Sequence, residues 1–168
     1  RAGRLGPLAG SVIADAGPLI AFSSVGQLEL LRKLFHQIVV PVEVIDESLH
    51  QNRSGAIPIQ KALDFGWLHT SDSSLNHGLW KVPPSLGKGE VAAIQLALES
   101  PDSLLILDDR LARREALRLG LQIIGTVKIV VVAQQRGLIE QAEKLIQQMA
   151  SNGYRISLEL LEKVKQGV

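Results

Sequence analysis

The chain has 168 residues, 46% of them hydrophobic and none a cysteine, so it is long enough for one packed domain and lacks both disulfides and thiolate chemistry. Eighteen Lys and Arg against seventeen Asp and Glu leave a formal charge of +1, which supplies no global field for a polyanion, so such a partner must meet a local patch. No apolar run approaches the roughly 18 to 20 residues that span a bilayer, and no membrane partner is expected.

Residues 1–11, RAGRLGPLAGS, begin without Met and carry neither periodicity nor the apolar centre of a secretory signal. They read as a disordered leader or cloning remnant, with a cytoplasmic location expected and a single domain over 12–168 that ends in C-terminal helices. SVIAD (11–15) is a short apolar strand ending in Asp15, and LELLRKLF repeats leucine at helical spacing. QIVVP (37–41) is a second strand closed by Pro41, VEVIDESLH is helical in composition, and IPIQKALDFG is a helix stopped at Gly66. WLHT is a third strand, and the segment 71–87 is expected to be an ordered surface loop. GEVAAIQLALES is a buried helix, with apolar residues at 91, 94, 96 and 98 and alanines between. Strand LLIL, helix RLARREALRLG, strand LQIIG and three helical segments, TVKIVVVAQQRG, LIEQAEKLIQQMASNG and SLELLEKVKQ, complete the chain.

Five short strands, each followed by helix, predict an α/β fold: a parallel sheet covered on both faces as an α/β/α sandwich. Such sheets place ligands at the carboxyl ends of their strands, where the winding reverses. If the strand order is 3-2-1-4-5, strands one and four are neighbours, and Asp15 meets Asp108 at that point.

Each acid has an ordinary reading as a helix cap, Asp15 before AGPLI and Asp109 before RLARR among them. Counting the acids together weakens it. Glu47 follows Pro41 by six residues and Glu90 opens the helix after GKG, so several loop ends that the fold gathers carry a carboxylate. Caps favour Asp over Glu, which leaves Glu47 and Glu90 poorly explained in that way. Like charges held close raise one another's pKa unless a cation sits among them. Hard ions with oxygen ligands, Mg²⁺ or Mn²⁺, fit such a cluster and assist phosphodiester hydrolysis. His36, His50, His69 and His77 show no paired ligand spacing, which disfavours zinc. LGKGE lacks the spacing of a phosphate loop, ADAGPL lacks a dinucleotide fingerprint, and no Gly-x-Ser-x-Gly elbow occurs.

The segments VIADAGPLIAFSSVGQLELL, VVPVEVIDES, LGKGEVAAIQLALE, LLILDDRLARREALRLGLQIIGT and RGLI resemble the PIN domain, specifically its VapC-like group of ribonucleases and toxins, over nearly the whole chain from Val12. The resemblance implies a sheet of order 3-2-1-4-5, Mg²⁺ or Mn²⁺ dependence, endonuclease cleavage of RNA, a homodimer and an antitoxin partner. Residue by residue, it places Asp15, Glu47, Glu90 and one or both of Asp108 and Asp109 in the catalytic and metal-binding set. Many relatives have Thr or Ser two residues before the last Asp; Leu107 stands there, so either aspartate can be the one facing the metal. Thr126 matches the subgroup's pattern and either hydrogen-bonds a metal ligand or, more ordinarily, caps its own helix. Arg110, Arg113, Arg114 and Arg118 recur along one helix, and with Lys88 and Lys128 they form candidate phosphate contacts or an ordinary solvated face. The alternative function is a PIN-fold module that binds protein or RNA without cleaving.

Overall fold

The computed structural model describes residues 10–51, 53–72 and 80–166. Most of the expected leader and residues 73–79 of the expected surface loop, with His77, lie outside the described residues. The element order alternates as the patterning predicts. Strand β1 (Val12–Ala14) leads to helices α1 (Ala16–Ser24) and α2 (Glu29–Phe35), and β2 (Ile38–Pro41) to α3 (Val42–Gln51) and α4 (Arg53–Phe65). Next come β3 (Leu68–Ser71), α5 (Lys88–Leu98), β4 (Leu104–Ile106), α6 (Arg110–Arg118), β5 (Gln122–Ile124), α7 (Thr126–Gln135), α8 (Ala142–Ser151) and α9 (Leu158–Lys165).

The sheet is parallel throughout, in the order β3-β2-β1-β4-β5. Ile13 pairs with Leu105 and Ala14 with Ile106, so side chains alternate in step across the β1–β4 seam. Ile13, Leu105 and Leu107 face a core built on Ala93, Ile94 and Ala112 of α5 and α6. Ala14 and Ile106 face the larger core of α1, α7 and α8, with Leu19, Phe22, Val130 and Ile146. Both faces are therefore covered, which is what continuous apolar strands require. Each fully buried Ile or Leu here contributes about 1.5–3 kcal/mol, and this rigid seam can hold an unfavourable group at its end.

Two helices differ from the sequence reading. Helix α1 follows β1 directly, where the sequence reading offered Asp15 as a possible cap but gave no helical span; the proline sits in the first turn, where its missing N–H has no helical partner to lose. Most of α1 is buried, so it carries no polar–apolar alternation to announce it. Helix α4 starts before the IPIQ segment and runs through Pro58. Among the described residues, no helix is long and apolar enough to cross a membrane.

Candidate metal centre

The seam delivers Asp15. Its backbone N–H donates to the carbonyl of Ile106 at 3.0 Å, which pins the residue beside the end of β4. Asp15 occupies the N-cap position of α1, yet its side chain makes no capping hydrogen bond. The residue is 6% exposed, and Oδ1 is buried with no hydrogen-bond partner. Burial pushes the Asp15 carboxyl up to about 7; the Ala16 amide opposes this, while Glu90, Glu47 and Asp108 add to it by charge.

The two glutamates arrive from α3 and α5. Glu90 turns back so that Oε2 accepts the Gly87 N–H at 2.7 Å, and Glu47 reaches across from α3 so that Oε1 accepts the Gly89 N–H at 3.2 Å. Both therefore serve the free amides at the start of α5, which corrects the expectation that glutamates would not act at helix ends. Each keeps a second oxygen for another partner. The approach of Glu47 explains Gly89: a Cβ there would stand 2.7 Å from Glu47 Oε1. Desolvation raises the Glu90 carboxyl, the Gly87 amide opposes this, and Asp109 and Glu47 raise it further.

Asp108 and Asp109 separate by role. Asp109 caps α6, its Oδ2 accepting the Ala112 N–H at 2.9 Å, while the residue stays exposed. Asp108 accepts from Thr126 twice, from the backbone N–H at 2.8 Å and from the hydroxyl at 2.5 Å. Burial raises its carboxyl, against the Thr126 hydrogen bonds, the Arg113 charge and a hydrogen bond from Tyr154. Thr126 is fully buried, and of its two possible roles the structure shows the hydrogen bond to Asp108. Gly125 leaves room for this packing, since a Cβ would lie 2.8 Å from Arg113 Nη1 and 3.1 Å from Asp108 Oδ1.

The arginines divide likewise. Arg113 turns inward, Nη1 donating to the Leu107 carbonyl at 2.8 Å, and Arg118 pairs with Glu115, which also accepts from Trp80 Nε1. Arg110, Arg114, Lys88 and Lys128 are exposed. Tyr154, the chain's single tyrosine, is the site residue that sequence reading missed. Its only signal was an aromatic ring beside Asn152-Gly153 between two amphipathic helices.

Asp15 thus feels Glu90, Glu47 and Asp108, while Glu90 feels Asp109 and Glu47. Among the described residues, no group of three or more His, Cys, Asp or Glu side chains is placed so that it could hold a metal ion together. What the site does offer is one buried carboxylate oxygen without a partner, in the field of further carboxylates, and such oxygens are the ligand type that hard divalent ions take.

The sequence matches the DUF3368 family, described as a PIN domain, over residues 11–168. The chain belongs to the PIN domain family. The PIN fold is generally a nuclease fold, usually metal-dependent. Among solved structures, the PIN domain of T. brucei RRP44 is similar at 13% identity and a TM-score of 0.47, over 77% of this chain and 85% of that one. No curated protein matches this PIN domain in sequence.

Proposed function

We propose that this PIN domain is a Mg²⁺- or Mn²⁺-dependent endoribonuclease, and more narrowly a VapC-like toxin. The observation that carries the nuclease reading is Asp15 Oδ1, buried without a partner while three other carboxylates raise its pKa. A fold retains such a group at a cost that a bound cation removes.

Asp15, Glu47, Glu90 and Asp108 would hold the ion, with Asp109 bordering it on the Glu90 side. When bound, a hard divalent ion supplies Lewis acidity toward a phosphodiester. The chain's own residues orient and neutralise. Gly89 and Gly87 amides aim the two glutamates, and Thr126 fixes Asp108 through both of its oxygens. Arg110, Arg114 and Lys88 are exposed and suited to backbone phosphates. Arg113 is better suited to hold the Leu107–Asp108 turn than to reach RNA.

The toxin reading is supported by the resemblance of the motifs, and it brings an antitoxin partner, a homodimer and a cytoplasmic location as expectations. Asp15→Asn tests the nuclease: the parent cuts RNA in Mg²⁺ or Mn²⁺, and the variant loses that activity about a thousandfold, as expected for several kcal/mol of lost transition-state stabilisation. Equal rates for the two proteins would remove the assignment. Calorimetric titration with Mn²⁺ separates a nuclease from a non-cleaving PIN-fold module, which has no need of the ion.

A further inference from the structure

A cavity of about 570 Å³ opens beside the acid cluster. That volume lies within the roughly 300–1,000 Å³ of small-ligand sites. Three segments wall it. Helix α1 contributes Gly17, Ile20 and Ala21; the turn into α6 contributes Asp108, Asp109 and Arg110; the turn between α8 and α9 contributes Asn152, Tyr154 and Arg155.

The last wall is fixed in place. Asn152 Nδ2 donates to the Ser24 carbonyl at 3.0 Å, tying the turn to the end of α1. Tyr154 is half-buried and lies near Asp108 and Thr126, which places the same turn beside the acid cluster. The turn between α8 and α9 is therefore part of the cavity wall.

Gly17 gives the second observation. It lies inside α1 with no positive φ, and a Cβ on it would meet nothing within 4 Å. Neither backbone conformation nor packing calls for glycine, although glycine weakens a helix relative to alanine. The space beyond its Cα belongs to the cavity.

The lining also narrows the ligand. Arg110 and Arg155 are exposed and, among the described residues, form no ion pair. A free anion would meet Asp108 and Asp109 as well as the arginines, and a metal ion alone would find no use for two guanidinium groups or an apolar wall. A nucleotide unit satisfies every part: its phosphate suits arginine, and its flat base suits the Gly17–Ile20–Ala21 face and the Tyr154 ring.

We propose that this cavity seats the nucleotide next to the cleaved phosphate of a single-stranded RNA, with its base against α1 and its phosphate on Arg110 and Arg155. The inference rests on the nuclease reading. The experiment measures anisotropy of a labelled single-stranded oligoribonucleotide in Ca²⁺, with Mn²⁺ calorimetry and thermal melting of each protein. Gly17→Leu fills the cavity and Arg155→Ala removes one phosphate contact, so each weakens the oligonucleotide about tenfold while Mn²⁺ affinity stays at the parent's value. Melting temperatures of both variants stay at or above the parent's. Parental RNA affinity in both variants, or a parent that does not bind the oligonucleotide, overturns the subsite. A parent that binds through this cavity and fails to cut in Mn²⁺ sinks the nuclease reading alone.

Discussion

Asp15 and Asp108 follow adjacent parallel strands whose registers match residue for residue, yet their surroundings are opposite. Asp108 receives two hydrogen bonds from Thr126 and faces Arg113 and Tyr154. Asp15 keeps one buried oxygen with no partner and faces three other acids. The first carboxylate has its charge answered by protein donors; the second has one oxygen that no protein donor reaches, and in the metal-free protein a proton neutralises it up to about pH 7. Burial raises both pKa values, so burial does not distinguish them. The difference lies in what answers the charge.

Opposite stability effects from the two positions are the sharpest way to break this comparison. Asp108→Ala strands the Thr126 donors and removes hydrogen bonds to a charged group, each worth about 1.5–3 kcal/mol, so a net loss of about 3 kcal/mol is expected by urea denaturation. Asp15→Asn removes a buried charge that lacks a partner and leaves metal-free stability unchanged or higher at pH 8. A large destabilisation by Asp15→Asn would mean that this carboxylate is satisfied after all.

The pH dependence of the metal-free protein follows from the same asymmetry. With Asp15 raised to about 7, the folded state holds its proton over a range in which the unfolded chain, with a carboxyl near the usual value of about 4, has released it. Stability therefore falls as pH rises from about 4 to about 7 and levels off above, by an amount on the order of a few kcal/mol. Glu90 and Asp108 are shifted in the same direction and add to the slope. Asp15→Asn flattens most of it, and saturating Mn²⁺ offsets it in the parent by binding the ionised form. Melting curves at pH 5, 6, 7 and 8 with and without the ion decide the matter; a parental slope in the variant would place the titration elsewhere.

Most of the sheet was legible because its strands are short apolar runs with both faces buried, and their parallel direction follows from helix after every strand, whereas the order 3-2-1-4-5 was implied by the family resemblance. Helix α1 was not, because a buried helix with Gly17 and Pro18 in its first turn carries no amphipathic stripe. In the site, Asp15, Glu47, Glu90, Asp108 and Asp109 could be picked out as acids at loop ends, but the partner of each could not. Glu47 bonding Gly89 spans 42 residues, and Asp108 bonding Thr126 spans 18. Such pairings depend on how loops meet at one sheet edge, which periodicity does not encode. Arg113 shows the same limit: its spacing matches Arg110 and Arg114, and only the fold turns it toward the Leu107 carbonyl.

Thr126→Val addresses the held side of the comparison with a smaller change. The methyl replaces the fully buried hydroxyl at nearly the same volume, while the backbone N–H to Asp108 remains. One charge-assisted bond is lost, so stability drops by about 1.5–2 kcal/mol, and Mn²⁺ affinity falls modestly as Asp108 gains freedom. An unchanged denaturation midpoint would show that Thr126 merely fills space.

The smallest expected stability change separates the two roles open to Asp109. Its Oδ2 caps α6 through the Ala112 N–H, and asparagine caps a helix about as well as aspartate. Asp109→Asn therefore keeps stability within about 0.5 kcal/mol, whereas Asp109→Ala, which cannot cap, loses about 1 kcal/mol. Charge is what the asparagine lacks. If Asp109 lends its field to the ion through Glu90, Mn²⁺ binding weakens equally in both variants although only one loses stability. If Asp109 is a cap and nothing more, the asparagine variant binds Mn²⁺ and cuts RNA as the parent does, and the metal-facing aspartate of the pair is Asp108 alone.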